Sequence, residues 1–103
     1  MEDYFYLNPS KMMEISKKLG GSEIKMLYAM FYCMTCDDRS VFINNAENRK
    51  RIAEELDFSK TPERISSILS SLTKKGVIKR EMNGVYTVPG DLFRLGDKSI
   101  VIS

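Results

Sequence analysis

The stretch Arg49–Val88 constrains this chain more than any other, because it fixes two helices, the turn between them and a closing hairpin in one order. From about Ala46 to Leu56, Ile52, Ala53 and Leu56 recur at helical spacing on an inward face, while Arg49, Lys50, Glu54 and Glu55 point outward. Asp57-Phe58-Ser59-Lys60 makes a turn, with Phe58 available to plug the space between the helices. Thr61 then offers an N-cap hydroxyl, and Pro62 fits the first helical position, where its missing N–H costs nothing. The segment Pro62–Lys75 sets Ile65, Ile68, Leu69 and Leu72 on one face and Glu63, Arg64, Ser66, Ser67, Ser70, Ser71 and Lys74 on the other. Lys74-Lys75-Gly76 closes that helix with cations at its negative end and a glycine for the left-handed cap. Val77–Glu81 extends, Asn83-Gly84 predicts a type I′ turn, and Val85–Val88 returns.

The preceding residues read as support. Phe5-Tyr6-Leu7 is short and extended in character. Asn8 caps a helix from Pro9 to about Leu19, with Met12, Ile15 and Leu19 inward and Gly20-Gly21 ending it. Ser22 is expected to cap a second helix running to Cys36, whose stripe is Ile24, Leu27, Tyr28, Phe31 and Met34, thickened by Met30 and Tyr32. A helix this apolar belongs in the middle of a small domain, with a dimer face as the alternative. Val41-Phe42-Ile43 is a short strand suited to join the hairpin as its third member.

Two helices, a tight turn and a hairpin are the layout of a winged helix-turn-helix, so the expected fold class is mostly α with a small antiparallel β wing. At 103 residues the chain makes one domain: 1–40 supporting helices, 41–88 the motif with its strand and wing, and 89–103 a tail. No apolar run approaches the ~20 residues of a membrane span. The acidic start MEDYFYLNP is unlike a signal peptide, so a cytoplasmic protein is expected.

Catalysis finds little support. There is no histidine to serve as base or ligand, and no Gly-rich phosphate loop. Cys33-Met34-Thr35-Cys36 supplies two of the roughly four ligands a structural zinc site needs, and the chain holds no other cysteine. No metal or other cofactor is expected, and the cysteines read as reduced thiols.

Charge distribution points to a polyanion. Net charge is only +2, but Arg49–Arg80 holds nine basic and four acidic residues, a surplus of five, while the remainder holds seven basic and ten acidic. The expected partner is double-stranded DNA. Glu63, Arg64 and Ser67 are expected at base edges, where arginine pairs with guanine and a carboxylate accepts from cytosine. Glu63 has a second reading as a complement to the helix dipole. Thr61, Ser66 and Ser70 are placed at phosphates; five serines (Ser59, Ser66, Ser67, Ser70, Ser71) crowd this helix and its cap region, where propensity alone would not put them. Lys60 and Lys74 add cations at the two ends of that helix. Lys79, Arg80 and Asn83 on the wing would follow the backbone or the minor groove, and Arg49 and Lys50 would meet phosphates from the first motif helix.

Four stretches resemble the winged-helix replication proteins of Firmicute plasmids and phages, the RepL-type family: Arg51-Ile52-Ala53-Glu54-Glu55-Leu56, the helix Ile65–Leu72, Lys74–Arg80 and Gly84-Val85-Tyr86. The likeness continues through Tyr86-Thr87-Val88-Pro89 and Leu92-Phe93-Arg94-Leu95-Gly96-Asp97, and includes Leu7-Asn8-Pro9. The resemblance implies an origin-binding initiator or replisome organiser without nucleotide hydrolysis. Arg-Ile-Ala-Glu-Glu-Leu and Lys-Lys-Gly-Val-Ile are equally similar to MarR-type transcription regulators, so replication and transcription machinery both stand as partners. A protein-interaction module is the third reading. One departure is a turn about two residues longer than the usual 3–4 between the motif helices. A homodimer would fit inverted half-sites, with Ser22–Cys36 or Ile100-Val101-Ile102 as the surfaces to make it.

Overall fold

The computed structural model describes residues 5–96. In chain order the elements are β1 (Phe5–Leu7), α1 (Pro9–Ser16), α2 (Gly21–Asp37), β2 (Phe42–Ile43), α3 (Ala46–Glu55), α4 (Pro62–Lys74), β3 (Lys79–Met82), β4 (Val85–Thr87) and β5 (Phe93–Leu95). Four helices thus share the chain with two small antiparallel sheets, one of order β2-β4-β3 and one pairing β1 with β5. Ile100–Ile102 lies outside the described residues.

Helix starts follow local chemistry. The Asn8 side chain accepts from the Lys11 N–H at 3.1 Å, Asn45 from the Asn48 N–H at 2.8 Å, and Thr61 from the Arg64 N–H at 3.1 Å, each satisfying one donor the first turn leaves open. α1 and α4 each carry a proline in the first turn. The α2 start differs from expectation. The cap is Gly20 rather than Ser22, and Glu23 reaches back to accept the Gly20 N–H at 2.8 Å. A glycine has no capping side chain, so the acid three residues on performs half of a capping box alone.

α2 lies at the centre. Its buried residues are Met26, Leu27, Ala29, Met30, Phe31, Cys33 and Met34. At 100° per residue they cover an arc of about 200°, twice the width of an ordinary amphipathic stripe. The breadth arises because α4 packs on one side of α2, while α3, β2 and β5 pack on others. The arc is turned relative to the expected stripe: Tyr28 is 47% exposed, and Ile24 and Tyr32 are only half-buried. α2 therefore buries most of its apolar surface within its own domain, with Tyr28 the exception.

The hairpin also departs from its predicted form. A type I′ turn needs positive φ at both central residues, yet Gly84 has φ 78° and Asn83 is not in that region. The register slips by one between Arg80↔Tyr86 and Met82↔Val85, leaving Glu81 as an extra residue. The bulge supplies the twist that a primed turn would otherwise give. β2 joins the other edge of β4, Phe42 opposite Tyr86 and Ile43 opposite Val85.

Residues 89–95 are part of the body. Leu92 and Phe93 are buried, Phe93 stacks on Phe31 with centroids 4.3 Å apart, and β5 pairs antiparallel with β1. The Asn8 N–H donates to the Leu92 carbonyl at 2.9 Å, so the start of α1 is tied to the same turn.

Candidate nucleic-acid interface

α4 separates its two faces cleanly. Ile65, Ile68, Leu69 and Leu72 are buried, while Glu63, Arg64, Ser66, Ser67, Ser70 and Lys74 are exposed. By helical angle, Glu63, Ser67, Ser70 and Lys74 stand most directly opposite the core, whereas Arg64 lies on the flank. On that flank Arg64 and Ser67 share a groove of about 370 Å³ with Ser71, Lys75 and the Gly20–Glu23 turn. The sequence gives no reason to expect the α1–α2 junction beside α4.

That junction is held by charge. Lys75 Nζ donates to Glu23 Oε1 at 2.7 Å and to the Lys18 carbonyl at 3.1 Å, and the Ser71 hydroxyl donates to the other Glu23 oxygen. The Gly20 N–H, Lys75 and Ser71 together hold the Glu23 carboxyl down to about 2, against burial that would raise it. Lys75 is thereby engaged within the protein. Ser71 serves this network rather than the exposed face.

The turn from α3 to α4 spans residues 56–61, so its extra length is present in the fold. Phe58 is buried between the helices as expected, with Lys60 Nζ 5.6 Å from its ring centroid. Asp57 takes φ 51°, a left-handed conformation that aspartate tolerates better than most residues. Leu56, expected inward, is 40% exposed, because the chain leaves the helix there and Phe58 occupies the core position.

The remaining predicted residues sit on neighbouring surfaces. On α3, Lys50 is exposed and Arg49 is half-buried, its guanidinium donating to Asn44 Oδ1 at 3.0 Å. On the hairpin, Lys79, Arg80 and Asn83 are exposed, and Arg80 donates to Asn83 Oδ1 at 3.0 Å, which pre-orders the tip. Lys79 stands 3.9 Å from Glu81, a loose surface pair. The Thr61 hydroxyl oxygen accepts the Arg64 N–H at the cap, and its O–H stays available to donate outward. Among the described residues, Lys50, Lys60, Arg64 and Lys74 make no salt bridge.

Chemistry elsewhere is structural. Cys33 is buried and Cys36 exposed, both free, and burial pushes the Cys33 thiol up to about 12, away from nucleophilic reactivity. Among the described residues no group of three His, Cys, Asp or Glu side chains is placed to hold a metal ion, and no helix is long and apolar enough to cross a membrane. Comparison of the chain with protein-family models, with curated proteins and with solved structures finds no match in any of the three.

Proposed function

We propose that this protein is a winged helix-turn-helix that binds double-stranded DNA in a sequence-specific way, with α3 and α4 as the helix pair and β2-β4-β3 as the wing sheet. The observation that carries the reading is α4 itself. A helix with four buried aliphatics and an exposed surface of serines, a carboxylate and two cations that make no salt bridge among the described residues is anchored on one side and equipped for a polar groove on the other. A solvated helix face would also tolerate serines. The wing favours the DNA reading, because Arg80 and Asn83 are held together at an exposed tip beyond the end of α4.

In this reading Glu63, Ser67, Ser70 and Lys74 face the major groove, and Arg64 reaches base edges or the flanking phosphate from the side. Ser66, Thr61 and Lys60 meet the backbone at the helix start. Lys79, Arg80 and Asn83 track the adjacent strand, and Lys50 and Arg49 approach from α3. The resemblance to RepL-type proteins supports an origin of plasmid or phage replication as the site, with promoter binding by a regulator as the rival. Residues Leu92 and Phe93, which carry part of that resemblance, are core residues here. They speak for shared architecture more than for a shared target.

The test is binding of the purified protein to a random duplex pool, titrated against salt and sequenced after selection. A steep fall of affinity with salt and an enriched motif are expected. A motif mapping to an origin rather than a promoter would favour replication. Salt-independent or absent binding at low ionic strength would end the DNA reading.

A further inference from the structure

A second groove opens beside the reading face. About 430 Å³ in volume, it runs between the first turn of α2 and the 57–60 turn, with Lys25 on one wall and Lys60 on the other. It shares Gly21 and Ser22 with the groove that holds Arg64, Ser67 and Glu23, so the two grooves adjoin at the start of α2. Both lysines are exposed, and among the described residues neither makes a salt bridge. The hydroxyls of Ser22 and Ser59 lie on the same walls, and a side-chain carbon at Gly21 would meet nothing within 4 Å. The lining is predominantly polar, unlike the apolar groove between α1 and α2 that includes Met13 and Tyr28. One carboxylate, Asp57, borders it and opposes an anion.

We propose that this groove seats a phosphodiester of the bound duplex, held by Lys25 on α2 and Lys60 on the 57–60 turn with Ser22 and Ser59 as hydroxyl donors. The proposal rests on the DNA reading above and extends the footprint to Lys25, on an element outside the helix pair and the wing. Contacts of this kind set register and affinity while carrying no sequence information. Two exposed lysines lining one polar groove fit a backbone phosphate better than a base edge, because lysine binds phosphate as a point charge.

The experiment compares salt titrations of the wild type with Lys25→Gln, Lys60→Gln, Asp57→Asn and, as a control, Lys11→Gln, on a selected and a random duplex. Glutamine matches lysine in helix propensity, and asparagine tolerates the left-handed backbone at position 57. Lys25→Gln and Lys60→Gln should each make the slope of log affinity on log salt shallower by about 1, equally on both duplexes. Asp57→Asn should tighten binding several-fold. Lys11→Gln removes the same charge at the β1/β5 end, where Lys11 pairs with Asp91, and should leave the slope unchanged. Inorganic phosphate alone should compete weakly, since the duplex adds its other contacts. If the wild type binds but Lys25→Gln keeps its slope, or shifts it no more than Lys11→Gln, the phosphate groove is overturned and the DNA reading stands. If the wild type shows no salt-dependent binding, both fall.

Discussion

Two polar side chains hold more of this molecule together than their types suggest. Asn48 is buried within α3, donating to the Ile43 carbonyl at 2.8 Å and accepting from Arg51 at 2.8 Å. Arg51 passes the connection on to Asp37 at 2.8 Å, so one asparagine joins β2, α3 and the end of α2. Replacing it with leucine leaves a carbonyl and a guanidinium short of partners. Asn48→Leu should cost about 1–3 kcal/mol in urea denaturation, and an unchanged midpoint would show that water fills the gap. Glu23 acts at the other end of α2. Its folded-state value of about 2 lies below the ordinary 4.5, so its stabilisation is complete above pH 4.5 and lost as pH falls toward 2. Glu23→Gln should remove that part of the acid sensitivity, giving a flatter stability curve across this window than the wild type.

At the scale of elements, α4 makes the division between fold and function measurable. Ile68→Ala opens a cavity in the core and should cost about 2–5 kcal/mol. Ser67→Ala, one residue away on the exposed side, should change stability by no more than about 0.5 kcal/mol. On the DNA reading it should also narrow the difference in affinity between selected and random duplex. Thermal melts and binding on the same two variants would separate the roles; equal effects on stability would contradict the two-faced helix. α4 was also the most legible element in the sequence, because its cap, proline, aliphatic spacing and Lys-Lys-Gly stop all act within one helix. α2 was less so. Its cap came from Glu23 acting on a glycine, and its buried arc depends on which neighbours arrive, which a single-helix period does not encode. The bulge in the hairpin escaped for a similar reason: Asn-Gly suits more than one turn, and the pairing of Tyr86 with both Arg80 and Phe42 decides among them. Lys25 lay outside the candidate site altogether, because only the packing of α2 against α4 brings it near Lys60.

For the whole molecule, the pairing of β1 with β5 is the feature least visible in advance. Each strand is three residues long, too short to carry a periodic signal, and they meet across some ninety residues of chain. The pairing closes the body: Phe93 covers Phe31, Leu92 is fully buried, and Arg94 lies 4.2 Å over the Tyr6 ring. The full chain should melt in one sharp transition by circular dichroism, and truncation after Val88 should abolish it, leaving helical signal without a well-defined transition. A truncated protein that melted as sharply as the full chain would show that the motif stands alone.

A growing chain on the ribosome passes through that same truncated composition. The helix pair and hairpin emerge complete while β1 still waits for a partner and Phe31 still faces water. Synthesis order thus leaves an apolar face and an unpaired strand open until residue 95 is clear of the tunnel, a window in which chaperone capture competes with closure.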